Sequence, residues 1–239
     1  MLSKFLRASA GVSRGLVFVG GESRNEDSAV QTPTFSLTGL DDGIASAPSI
    51  GDIVIACIAF KDGTNRDIQC TTSGYIEVAD LFQSDSNSIN FAVYYKVLTA
   101  EDTTVSFDLG AARTSEFVVH VWRGQNATPL DATTTTTTSA NTGIPNSPSI
   151  TTVTNNAVVI AVGAAAGGTT GQAAQLTDLT VPSGMTNFQV QMSLTTSVGI
   201  AIASIARPTA GAYDPPTFGG GNGNALNSMA ACTIALRPA

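Results

Sequence analysis

Few side chains in this sequence could do chemistry. The single histidine, His120, sits between Val119 and Val121. A serine hydrolase would need it as the base, but alternation places it in mid-strand and no Gly-x-Ser-x-Gly elbow is present. It is expected in a core or an interface. With one histidine, the scattered Cys57, Cys70 and Cys232 cannot make a standard zinc cage. They read as buried free thiols of a chain made in a reducing cytosol. Asp85-Ser-Asn-Ser-Ile-Asn90 has the alternating oxygens of a calcium loop. It lacks the sixth-position glycine and the closing glutamate, so a polar hairpin loop is expected. The pairs Asp41-Asp42 and Glu101-Asp102 lie in turn-like contexts and read as solvated acids. A glycosidase would need two carboxylates opposed across a cleft. Gly219-Gly-Gly-Asn-Gly223 has no following lysine, and it reads as a flexible loop rather than a phosphate cradle. No metal, cofactor or catalysis is expected. Tyr75, Tyr94, Trp122 and Tyr213 could stack on sugar rings if exposed, so glycan contact is the one binding chemistry left open.

Strands must position these residues. Gly, Thr, Ser and Ala replace the usual charges, which are only 12% of the 239 residues. Small and β-branched residues with frequent Gly and Pro favour strands and turns. In Glu116-Phe-Val-Val-His-Val-Trp-Arg-Gly124, Phe117, Val119 and Val121 share one face, and Val118, His120 and Trp122 the other. Both faces are mostly apolar, which predicts a central strand covered on two sides or meeting another chain. Ile53-Val-Ile-Ala-Cys-Ile-Ala-Phe60 is a continuous apolar run of the core-strand kind.

The order of landmarks repeats. Asn156-Ala-Val-Val-Ile-Ala-Val162 follows Asp52-Ile-Val-Ile-Ala56, and Ser183-Gly-Met-Thr186 follows Ser73-Gly-Tyr-Ile76. Cys232-Thr-Ile-Ala-Leu-Arg237 follows Val119-His-Val-Trp-Arg123. The expected fold is all-β, a jelly-roll-like antiparallel β-sandwich built from two weakly repeated halves, as one sandwich or two in tandem. The expected divisions are an N-terminal basic arm (1–21), a first half (22–131), a Thr/Pro/Ser-rich connector (132–150) and a second half (151–239).

The formal charge of −7 argues against nucleic-acid binding by the body. No 18-residue apolar run exists, so no membrane span is expected. The first residues differ from the body: Lys4, Arg7 and Arg14 are basic, and Leu2, Phe5 and Leu6 could share one face of a short helix. Arg7 and Arg14 interrupt any signal-peptide core. A disordered start is the plain alternative to an arm that docks on a partner. Residues 132–239 carry only Asp178, Arg207, Asp214 and Arg237 as charges. That half has either a neutral polar surface or one covered by other copies; a homotrimer burying its Ala- and Gly-rich strands is expected.

The ordered segments Gly51-Asp-Ile-Val-Ile-Ala56, Ser73-Gly-Tyr-Ile-Glu-Val78, Tyr95-Lys-Val-Leu-Thr-Ala100, Val121-Trp-Arg-Gly124, Pro129-Leu-Asp131, Val181-Pro-Ser-Gly-Met-Thr186 and Ile234-Ala-Leu-Arg-Pro238 resemble the β-sandwich modules of tailed-bacteriophage fibres, head spikes and decoration proteins, including spikes of gene transfer particles. The resemblance implies a structural or adhesive virion protein, made in the host cytoplasm and carried on the particle. Capsid decoration or a head spike, joined to other virion proteins by the arm, is the expected role. The alternative is a tail or fibre module that binds host surface polysaccharide.

Overall fold

The computed structural model describes residues 15–169, 171, 173, 175–193 and 195–239. All regular structure there is β: β1 (Val17–Val30), β2 (Thr34–Ser36), β3 (Ile53–Lys61), β4 (Gln69–Cys70), β5 (Ile76–Gln83), β6 (Ile89–Val97), β7 (Thr104–Asp108), β8 (Arg113–Arg123), β9 (Gln125–Leu130), β10 (Thr135–Ala140), β11 (Ile150–Thr152), β12 (Ala157–Ala166), β13 (Thr186–Ser193), β14 (Val198–Arg207), β15 (Gly211–Tyr213) and β16 (Ser228–Pro238). Every pairing between named strands is antiparallel.

Each half builds one large sheet. The first is ordered β1-β8-β3-β6-β5, the second β10-β16-β12-β14-β13, with β9 on β16. These orders correspond strand for strand under the sequence repeat. The correspondence extends to a small outer sheet in each half, β2-β7-β4 in one and β11-β15 in the other. It extends also to irregularities: β5 breaks register between Glu77 and Ala79, and β13 between Thr186 and Gln189.

The two large sheets pack face to face. Their inner residues form one core: Ile53, Ile55 and Cys57 of β3 with Phe91 and Val93 of β6, against Ile160 and Val162 of β12, Ile200 and Ile202 of β14 and Ile234 of β16. The alternate residues of β3, Val54, Ala56, Ile58 and Phe60, enter a second core under β2 and β7, with Phe35, Phe107 and Phe117. The unbroken apolar run of β3 thus has a direct cause: both faces are covered. The same holds for β8, whose Val118 and Trp122 face the inner core while Phe117, Val119 and Val121 face the outer one.

The structure corrects three expectations. The sequence from Gly15 to Val19 reads as a first strand stopped by the breakers Gly20-Gly21, yet β1 runs on to Val30, across the expected arm boundary at residue 21. Gly21 lies within it because a Cβ there would come 2.6 Å from Cγ of Gln189, which packs over the strand. The Thr-rich connector contains an edge strand, β10, paired to β16; β-branched threonines suit a half-buried edge. The Ala- and Gly-rich strands need no neighbouring copy to cover them. Ala161, Ala164, Ala201, Ala203, Ala230 and Ala235 are buried within the chain. Part of the cover is the expected flexible glycine loop: Gly219 and Gly221 hydrogen-bond back to Thr180 and Thr177. Gly220 has φ 70°, and a Cβ there would fall 1.7 Å from the Asp178 carbonyl oxygen, so only glycine fits.

Candidate functional site

One end of the double sandwich gathers the features not used for packing. The starts of β1, β3 and β12 and the ends of β8, β14 and β16 meet there, as Val17 pairs with Arg123, Ile53 with Trp122, Ala157 with Arg207 and Val158 with Leu236. The C-terminal Ala239 amide donates to the Gly124 carbonyl at 2.9 Å. The described chain begins at this end, where Gly15 and Leu16 line a cleft of about 410 Å3 with Asn156, Val158, Ala206 and Pro208.

Two ion pairs brace this end, one at the turn before β3 and one at the turn before β12. The Arg123 guanidinium grips Asp52 bidentately, Nε to Oδ1 at 2.6 Å and Nη2 to Oδ2 at 2.9 Å. Asp52 Oδ2 also accepts the Ser49 amide at 2.8 Å, fixing the turn before β3. Asp131, the last residue of the first half, joins it to the second: it receives Arg237 Nε at 3.3 Å and the Val153 and Thr154 amides at 2.7 and 3.1 Å, fixing the turn before β12. In both pairs the carboxylate is buried and the arginine reaches the surface: Arg123 is 45% exposed and Arg237 31%, against 0% for both acids. Burial hides the negative members, so the end presents guanidinium groups on an otherwise acidic molecule. Beside them the turns expose Ile50 and Val153, and β1 exposes Val17.

A second unusual group lies inside. Glu116 and His120 project from β8 between the large sheets, both buried. His120 Nε2–H donates to the Asn187 carbonyl at 2.6 Å, where Asn187 takes φ 52° in the irregular part of β13. Phe18 packs edge-on at 4.9 Å, and Nδ1 has no partner among the described residues. Burial drives His120 down to about 3 despite that hydrogen bond. Burial, then the charge of Asp27, pushes Glu116 up to about 8 against a hydrogen bond from Gln191. The corresponding face of β16 carries Ala230, Cys232, Ile234 and Leu236, so the polar seam belongs to one half only. Among the described residues His120 hydrogen-bonds to the Asn187 carbonyl and to no serine hydroxyl, and it ties one sheet to the other.

The remaining sequence candidates are dispersed. Leu2, Lys4, Phe5, Leu6, Arg7 and Arg14 lie outside the described residues. Tyr94 and Trp122 are buried and cannot stack on a glycan, because their ring faces fill the outer and inner cores. Tyr75 is half-buried beside Lys96, and Tyr213 is half-buried under the Arg207 guanidinium at 4.4 Å. These two pack on different layers and form no common platform. The calcium-like loop spends its oxygens on protein groups: Asn87 on Lys61 and Asn90 on the Arg66 amide. Asp42 accepts from Gln189, and Asp102 pairs with Lys96 at 2.7 Å. All three cysteines are free, with Cys57 and Cys232 buried and Cys70 half-buried. The two braced turns and their exposed Ile50 and Val153 escaped the sequence reading, although Asp52 and Arg123, and Asp131 and Arg237, stood in its repeated landmarks. Comparisons with protein-family models, curated proteins and solved structures found no match.

Proposed function

We propose that this chain is a structural protein on the exterior of a tailed-phage-type particle, a capsid decoration or head spike, attached through the end where its N-terminal segment leaves the sandwich. The observation that carries this is the chemistry of that end. Ile50 and Val153 are 63% and 64% exposed, beside arginines whose acids are buried, and the basic residues 1–14 connect at the same place. Apolar side chains supply contact energy, about 1.5–3 kcal/mol each when fully buried. Exposed ion pairs add only about 0–1 kcal/mol, and their part is orientation. The interleaving of each large sheet with its small outer sheet supports a jelly-roll-like description of both halves.

Deleting residues 1–14 should leave the sandwich folded, with unchanged thermal unfolding, but absent from purified particles. Ile50→Asp with Val153→Asp should weaken incorporation in the same assay. Normal incorporation of both variants would place attachment elsewhere. A glycan-binding role keeps only Tyr75 and Tyr213, so it ranks second. We also propose a homotrimer whose contacts lie away from the Ala-rich strands, which the chain itself covers.

A further inference from the structure

At the opposite end, where β3 finishes, Lys61 meets Asn87 of the β5–β6 turn. Lys61 Nζ lies 2.6 Å from Asn87 Oδ1 and 2.8 Å from the Gly167 carbonyl oxygen. Asn87 is 8% exposed, and its Nδ2 donates to the Leu226 carbonyl at 2.6 Å. No carboxylate pairs with Lys61 among the described residues. A lysine without an acid partner, held against a buried amide, is an unusual arrangement: ammonium groups are ordinarily solvated or paired.

The geometry points to an intramolecular isopeptide bond between Lys61 Nζ and Asn87 Cγ, formed by the chain itself. With Nζ at 2.6 Å from Oδ1 and a C=O bond of about 1.23 Å, Cγ can be no farther than about 3.8 Å from Nζ, close to attack range. The nucleophile is the neutral amine, and burial lowers the Lys61 pKa toward that form. At rest Nζ donates one N–H to the Gly167 carbonyl and one to Asn87 Oδ1; rotation about Cε–Nζ releases the second and turns the lone pair toward Cγ. The Leu226 carbonyl holds the amide nitrogen that must leave. In the step, Nζ forms a bond to Cγ, the Cγ–Nδ2 bond breaks, and one Nζ proton passes to Nδ2. The products are a secondary amide, which keeps the other Nζ hydrogen, and one molecule of ammonia. No oxidant or co-reactant is needed.

The test is the intact mass of the full chain, measured after purification and again after incubation at mildly alkaline pH. The expected result is a mass lower by one ammonia, trypsin resistance after residue 61, and a branched peptide joining Lys61 to Asn87. Lys61→Arg and Asn87→Ala should both keep the full sequence mass. If Lys61→Arg fails to fold, Asn87→Ala alone decides. Full mass in the unmodified chain at both times would overturn the bond. So would ammonia loss with only linear peptides, which marks a succinimide at an asparagine.

Discussion

Glu116 and His120 share a buried strand face, and their opposite shifts define a pH profile. Glu116 rises from 4.5 to about 8, so its contribution is complete below pH 4.5 and is lost as pH rises through 8. His120 falls from 6.5 to about 3, so its contribution is complete above pH 6.5 and is lost as pH falls through 3. Between 4.5 and 6.5 the two slopes cancel. Denaturant melts should show a stability maximum in that window, with declines on both sides. Glu116→Gln should flatten the alkaline limb and let stability keep rising through the 4.5–6.5 window, where the His120 slope is no longer cancelled; an unchanged alkaline limb would remove Glu116 as its source. His120→Ala should destabilise by loss of the inter-sheet hydrogen bond and packing, about 2–4 kcal/mol. The braced turns give an asymmetric expectation. Arg123→Met strands a buried Asp52 carboxylate and should cost about 2–3 kcal/mol, at or below the usual range because Arg123 is partly solvated. Asp52→Asn keeps the Ser49 contact and should cost less. Equal losses in chemical denaturation would contradict this ordering.

At the scale of the elements, β12 shows how close the outer cover sits. A Cβ on Gly163 would lie 2.4 Å from Pro145 Cβ and 3.0 Å from the Phe218 ring. Neither neighbour is the free end of a flexible chain, so Gly163→Ala should overpack the cover and cost about 1–3 kcal/mol. A Cβ on Gly21 would meet the movable Gln189 side chain at 2.6 Å and the Val119 carbonyl oxygen at 3.1 Å, so Gly21→Ala should cost less. Comparing the two melting temperatures checks the difference. β3, β8, β12 and β16 were legible as strands, because an apolar run or alternation is a local property of sequence. β10 was not, since a threonine run suits an edge strand and a loop equally well. The exposed length of β1 was missed for another reason: glycine is a breaker locally, and only the approach of Gln189 makes it fit.

For the molecule as a whole, each half supplies one wall of the shared core. From the second half, Val158, Ile160, Val162, Val198, Ile200, Ile202, Ile234 and Leu236 face the first. At about 1.5–3 kcal/mol for each buried side chain, exposing these eight would cost about 12–24 kcal/mol, comparable to or larger than the typical 5–15 kcal/mol stability of a domain. Residues 132–239 expressed alone should therefore be insoluble or unfolded, while the full chain unfolds in one transition. A soluble, cooperatively melting fragment would show that the halves are independent domains.

Sequence alone determined the all-β class, the inward and outward faces of β8, and the two-fold repetition of landmarks. These follow from side-chain alternation and chain order, which need no knowledge of distant contacts. Tertiary structure decided that the repeats form two facing sheets, each with an outer cover, rather than strands of one sheet. It also decided that Tyr94 and Trp122 are core, and that Lys61 faces Asn87 and Gly167. Alternation says that a face is apolar but not what covers it. The covering surface comes from residues tens of positions away, as Asn187 does for His120 and Gln189 for Gly21.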